Sequence, residues 1–231
     1  DVCSSDLKPG LSPTNLDLSV LRNALDKLPN LNRVQLCGRH GDPVIHQDFD
    51  TAIDWLLERP IFIQIHTNAS LRNEQWWTEL GTKLAKTKHM IWFGIDGLAG
   101  VHEIYRQGTS FQKIIDNARG VLNDGGEFRY MVYAKNSWKY AMIQKGLDQF
   151  EAQAGCPFAQ AYSNDEVYAL LGDRFHIERL RQAHCFMYNV EAYKQGRYEL
   201  EPWFAAMPDA MREAVREYLG WHLLVKARKN P

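Results

Sequence analysis

The chain has few cysteines and no two of them close together: Cys3, Cys37, Cys156 and Cys185 are scattered through 231 residues. A disulfide framework needs tighter spacing in a smaller chain, so reduced thiols in a cytoplasmic setting are expected. No zinc site can be drawn from such spacings. No apolar run of about 18 residues exists, so no membrane span is expected. Lys and Arg number 27 against 28 Asp and Glu, with no basic tract, which argues against general nucleic-acid binding. The eight histidines form no HxH or HExxH pair. A Walker loop and a GxGxxG turn are also missing, which weighs against an unrelated barrel enzyme for a phosphorylated metabolite. No solenoid repeat is visible.

What is there is a globular composition. The chain is 45% hydrophobic and 24% charged, with seven tryptophans and ten phenylalanines. That is enough apolar mass for a core in one domain, or in a domain with a small appendage. The opening DVCSSDL matches the translation of a widely used sequencing adapter. Residues 1–7 are therefore read as foreign and left out of fold reasoning, with native sequence expected upstream of Lys8.

Apolar periodicity predicts helices over 16–28, 47–58, 73–86, 110–124 and 138–151. It predicts strands over 33–38, 61–68, 90–96, 127–134 and 158–164. The stretch IFIQIHTN (61–68) reads as a strand buried on both faces. Ser110 opens a helix that Gly125 and Gly126 close. Strands alternating with helices indicate βαβ units in a parallel sheet, either doubly wound or part of a (β/α) barrel. After residue 165 the alternation is lost. Residues 168–182 read as helical, 208–226 as an amphipathic helix and 226–231 as a frayed tail. The expected organisation is thus a core over 8–164 and a helical extension over 165–231.

The carboxyl ends of the strands carry the chemistry. The first ends in Gly38-Arg39-His40-Gly41-Asp42-Pro43, the second in His66-Thr67-Asn68-Ala69-Ser70. The third ends in Gly94-Ile95-Asp96-Gly97, with Tyr105-Arg106 and Gly108 behind it, and the fourth in Tyr133-Ala134-Lys135-Asn136. In a parallel α/β fold such ends converge on one rim. Glycines let the backbone approach a ligand, the proline fixes the turn, and a carboxylate accepts from an ammonium. Thr67 and Asn68 add a hydroxyl and an amide, and Arg106 a planar fork for a carboxylate. Together these suit a zwitterion joined to a sugar. Each motif alone reads as a turn, a cap or a solvated arginine.

In this order the motifs GxxGDPxIHxDF, HTNASLRxxxWW, FGIDGLxxxHxxYRxG and NDGGEFRYMVYAKN resemble the core of radical S-adenosylmethionine enzymes, over roughly residues 30 to 140. They are most similar to the branch that often carries a SPASM or Twitch cluster extension. The resemblance implies a partial (β/α)6 TIM-like barrel of parallel strands, lacking its first βα unit. It implies that Gly41, Asp42 and Pro43 hold the methionyl amino group of S-adenosylmethionine and that Thr67 and Asn68 lie near its methionine or ribose portion. Asp96 would brace the rim, Arg106 would meet the methionyl carboxylate, and Asn136 would lie near the adenine or ribose. Gly94 stands where the family often has serine.

The family binds a [4Fe-4S] cluster through a CxxxCxxC loop, because the cluster wants soft thiolates. Neither Cys37, Cys156 nor Cys185 supplies that spacing. The resemblance then implies a fragment whose cluster loop lies upstream. The full-length protein would form a 5′-deoxyadenosyl radical with an electron donor such as flavodoxin or ferredoxin and act on a peptide or small molecule. This chain alone would be inactive. The alternative is a cluster-less relative that binds a partner without catalysis. Cys37 and Cys185 are read as buried structural residues, and Trp76, Trp77 and Trp92 as core or interface mass.

Overall fold

The structure, a computed structural model, describes residues 16–37, 41–85, 88–95, 97, 99–146 and 160–230. The chain forms two compact units, Asp1–Ile95 with Arg106–Asn123 and Asp96–Tyr105 with Asp124–Pro231. Residues 1–7, Cys3, Asp96 and Cys156 lie outside the described residues.

The first unit opens with α1 (Leu18–Asp26), whose Asp17 cap accepts from the Ser19 N–H. Next come β1 (Arg33–Leu36), a single 3-10 turn (Pro43–Ile45) and α2 (Phe49–Leu57). β2 (Phe62–Thr67), α3 (Glu74–Leu84) and β3 (Met90–Phe93) continue the alternation. A short helix α4 (Val101–Tyr105) belongs to the second unit, and α5 (Phe111–Val121) returns to the first. The strands run parallel in the order β1-β2-β3.

The core of this unit gathers Ile63 and Ile65 of β2, Phe49, Ile53 and Leu56 of α2, Trp77, Leu80 and Leu84 of α3, and Ile114 of α5. β2 is not buried on both faces: Ile63, Ile65 and Thr67 point into the core while Phe62, Gln64 and His66 are half-buried. Such alternation is the period-2 signature of a strand covered on one face. On the other face Gln64 bonds His66 at 2.7 Å, and the His66 ring stacks on exposed Trp92. α3 and α5 approach through glycine. A Cβ on Gly81 would stand 2.0 Å from the Val121 carbonyl oxygen, so no larger residue fits there without moving backbone.

The second unit contains β4 (Glu127–Ala134), α6 (Trp138–Gln144), β5 (Ala161–Tyr162) and α7 (Asn164–Leu171). It continues with β6 (Phe175–Ala183), α8 (Val190–Lys194), α9 (Pro202–Ala205), α10 (Asp209–Leu219) and β7 (His222–Lys229). Its sheet has the order β5-β4-β7-β6, with β5 parallel to β4 and β7 antiparallel to both neighbours. Leu223, Val225 and Ala227 of β7 are buried along one face. On the opposite face Lys226 bridges Glu127 at 3.0 Å and Glu178 at 2.9 Å, and Arg228 pairs with Glu178.

These sheets correct the expected fold class. A partial (β/α)6 barrel needs one run of parallel strands. The described residues instead form a three-stranded parallel sheet and a separate four-stranded mixed sheet. The C-terminal extension is not wholly helical either. Residues 175–183 and 222–229, read as helix and tail, are two long antiparallel strands.

Candidate functional site

The loop after β1 and the end of β2 are tied together by one carboxylate. Asp42 Oδ2 accepts from the Thr67 hydroxyl at 2.8 Å and from the Asn68 N–H at 2.8 Å. Its Oδ1 accepts from the Val44 N–H at 3.1 Å and so caps the 3-10 turn that Pro43 opens. The capping role expected of an isolated Gly-Asp-Pro is therefore present, and the carboxylate also locks two strand ends in one geometry.

The following turn is equally fixed. Thr67 Oγ1 accepts from the Ala69 N–H at 2.9 Å, and Asn68 Oδ1 accepts from the Ser70 hydroxyl at 2.8 Å and N–H at 3.1 Å. Ala69 sits at φ +53 and is fully buried. A non-glycine residue there costs roughly 1 kcal/mol and persists only where neighbours impose it. One such neighbour is Asn117 of α5, whose Nδ2 donates to the Ala69 carbonyl at 2.8 Å. Asn117 was missed from the sequence. The available signal was a polar residue among Phe111, Ile114, Ile115 and Ala118, the buried face of an amphipathic helix.

The third strand end joins the same rim. The Gly94 N–H donates to the Thr67 carbonyl at 2.8 Å, just beyond β3. A Cβ on Gly94 would stand 3.1 Å from Arg106 Nη2 and 3.5 Å from its Cζ, so the guanidinium lies against this glycine. A serine Cβ at this position would need the guanidinium to give by only a few tenths of an ångström.

Of the sequence-predicted residues, then, Asp42, Thr67 and Asn68 are in direct contact, and Arg106 is seated at the next strand end. Gly41 is exposed, and among the described residues only Ile45 Cδ1 comes near its Cβ position, at 3.8 Å. Asn136 belongs to the second unit, where its Nδ2 reaches the Tyr218 carbonyl at 3.5 Å and its carbonyl accepts from Gln182 at 2.5 Å. Cys37 is exposed rather than buried. Cys185 is buried, and burial pushes its thiol up to about 11. Trp77 is core, while Trp92 is 54% exposed.

No family model matches the chain, and no curated protein matches it. A solved structure that resembles it is described as a SAM-dependent methyltransferase, possible histamine N-methyltransferase, from Thermotoga maritima. The two are 14% identical over 92% of this chain and 88% of the other, with a TM-score of 0.37. A superposition that loose assigns neither fold nor activity. These findings nevertheless correct the radical S-adenosylmethionine identification and, with it, the SPASM or Twitch extension and the cleavage to a 5′-deoxyadenosyl radical. The barrel that reading required is replaced by two sheets, and no family model supports it. Among the described residues no group of three or more His, Cys, Asp and Glu side chains could hold a metal ion, and no helix is long and apolar enough to cross a membrane.

Proposed function

We propose that the carboxyl-end rim of the β1-β2-β3 sheet binds S-adenosylmethionine as a cofactor, without radical chemistry, in a protein that acts on a peptide or small molecule in the cytoplasm. Open parallel sheets take ligands at the carboxyl ends of their strands. The observation that carries the reading is the placement of opposite charges at strand ends along that edge. Asp42 is anchored between the first two strand ends, and the Arg106 guanidinium lies on Gly94 at the third. A methionyl group carries an ammonium and a carboxylate on one carbon. The rim offers a carboxylate and the Asn68 amide to the first and a planar guanidinium to the second. Ala69, held in a costly backbone conformation beside them, supports the reading, because such strain gathers at ligand sites.

The test uses calorimetric titration of the whole chain with S-adenosylmethionine and with 5′-methylthioadenosine, which lacks the amino-acid end. Arg106→Gln is expected to weaken the first ligand about tenfold, the loss of one charge-assisted fork, and to leave the second unchanged. The absence of saturable binding near 1 mM, or equal weakening of both ligands, would overturn the proposal.

A further inference from the structure

The second unit contains a cavity that the rim does not use. Its volume is about 450 Å³, within the range of small-molecule sites, and its lining is mostly aromatic: Trp138, Phe186, Tyr188, Trp203 and Phe204, with Met142 and Val190. Among the described lining residues Glu201 is the one that carries a charge. We propose that this cavity is an aromatic cage for a small methylated ammonium ion, with Glu201 as its counter-charge.

The rings are set by separate elements. Trp138 and Met142 stand four residues apart on α6 and therefore share a helix face. Ser137 fixes that helix start: its hydroxyl donates to the Ala134 carbonyl at 2.7 Å and accepts from the Tyr140 N–H at 3.1 Å. Trp203 and Phe204 sit on α9, with Pro202 in its first turn. The indoles of Trp138 and Trp203 meet at 5.3 Å with planes 62° apart, and Phe186 and Tyr188 at 5.9 Å and 80°. Trp203 and Phe204 stack at 3.9 Å with planes 28° apart, so the lining combines one stacked pair with rings inclined to it. A roughly spherical cation suits rings set at several inclinations around one volume.

Glu201 is held in place rather than neutralised. Its N–H donates to the Met187 carbonyl at 2.9 Å, and Tyr188 bridges Leu200. Its Oε1 accepts from the Asn189 side-chain amide at 2.9 Å, and no ion pair to Glu201 is present among the described residues. A half-buried carboxylate beside tryptophans, with only a neutral donor, is a poor arrangement for stability and a good one for a cationic guest. Two cations stand near the lining: Lys139, buried with its Nζ 4.2 Å from the Phe186 ring centre, and Arg212, whose Nη1 donates to the Phe204 carbonyl at 3.4 Å and whose Nη2 pairs with Asp209. Lys139 already uses Phe186 as a cation-binding surface, and neither cation lines the cavity. Methylated ammonium is preferred to a primary amine because it is weakly hydrated and carries its charge on methyl groups that can touch rings. Trp138 and Trp203 are 36% and 44% exposed, which leaves the cage open to a ligand from solvent.

The test is titration of the whole chain with choline and with its uncharged isostere 3,3-dimethylbutan-1-ol, followed by calorimetry and ligand-observed NMR. Choline is expected to bind at least about tenfold more tightly than the isostere, and both Glu201→Gln and Trp203→Ala are expected to remove most of that advantage. Glu201→Gln keeps the side-chain shape, and its circular dichroism spectrum should match that of the parent. Equal affinity for the two ligands, no saturable choline binding up to about 50 mM, or unchanged preference in Glu201→Gln would each refute the cage.

Discussion

Replacing Asp42 by alanine should cost the first unit more stability than a half-buried surface residue ordinarily would. The carboxylate accepts three hydrogen bonds, from the Thr67 hydroxyl, the Asn68 N–H and the Val44 N–H. Hydrogen bonds to a charged group contribute about 1.5–3 kcal/mol when the partners are shielded. Thr67 is only 7% exposed, so its hydroxyl gains little water in exchange. The Val44 bond is a helix cap, whose removal costs about 1 kcal/mol. The expected loss for Asp42→Ala is about 4 kcal/mol, against a usual domain stability of roughly 5–15 kcal/mol. Asp42→Asn can keep its oxygen in the Oδ2 place, facing Thr67 and Asn68, and then turns its NH2 toward the Val44 N–H, which cannot accept, so about half of that loss is expected.

Urea unfolding gives the global figure, and amide hydrogen exchange gives the local one. The Val44 and Asn68 amides should lose protection in Asp42→Ala, while those of Ile63 and Ile65 in the middle of β2 should change only with global stability. A double cycle with Thr67→Val should show about 1 kcal/mol of coupling, because the two residues share a bond. An Asp42→Ala protein within about 0.5 kcal/mol of the parent, or one in which the Asn68 amide stays protected, would refute the claim that this carboxylate joins the two strand ends.

Other perturbations follow from the same geometry. Gly81→Ala should destabilise the first unit by about 2 kcal/mol or more despite alanine's better helix propensity, because the new methyl would meet the Val121 carbonyl; a rise in melting temperature would contradict the α3–α5 packing. In the second unit, hydrogen bonds from Lys226 hold the Glu127 and Glu178 carboxyls below their ordinary range. That contribution is present above 4.5 and is lost as pH falls through the lowered values. Thermal unfolding should therefore show a fall in stability on acidification that shrinks in Lys226→Met and at high salt; an unchanged acid limb in the variant would count against the ladder. Burial, and then the neighbouring His184, lower His222, so its contribution is present above 6.5 and is lost as pH falls through the depressed value. His222→Gln should flatten that part of the stability profile as pH falls below 6.5, which chemical denaturation at several pH values would measure.

The parts of the fold that were legible in the sequence are those whose signals are local. Ser110 caps its helix at the expected start, and Asp42, Thr67 and Asn68 meet because parallel neighbours bring their strand ends to one edge. The failures have equally specific causes. In β6 the shift in register between Ile177 and Arg179 puts Ile177 and Leu180 three residues apart, a helical spacing produced by a bulged strand. In β7 the buried Leu223, Val225 and Ala227 alternate correctly, but the apolar pattern runs on from α10 and hides the break at Gly220. Gly220 itself is required there, since a Cβ would stand 2.5 Å from the Ala183 carbonyl oxygen and 2.3 Å from that of Arg216. The barrel failed for a different reason. Short loop motifs specify how one strand ends and say nothing about which strand it pairs with. β4 carries the expected sequence and takes β5 and β7 as its neighbours, an outcome that depends on residues some 30 and 90 positions away. The same non-locality hid the aromatic cavity. Its members run from Trp138 to Phe204 with no repeated spacing, and only tertiary packing puts a carboxylate among the rings. Sequence patterns in this chain thus describe where strands end and helices start, while strand partners, and the sites those partners create, are settled by long-range pairing.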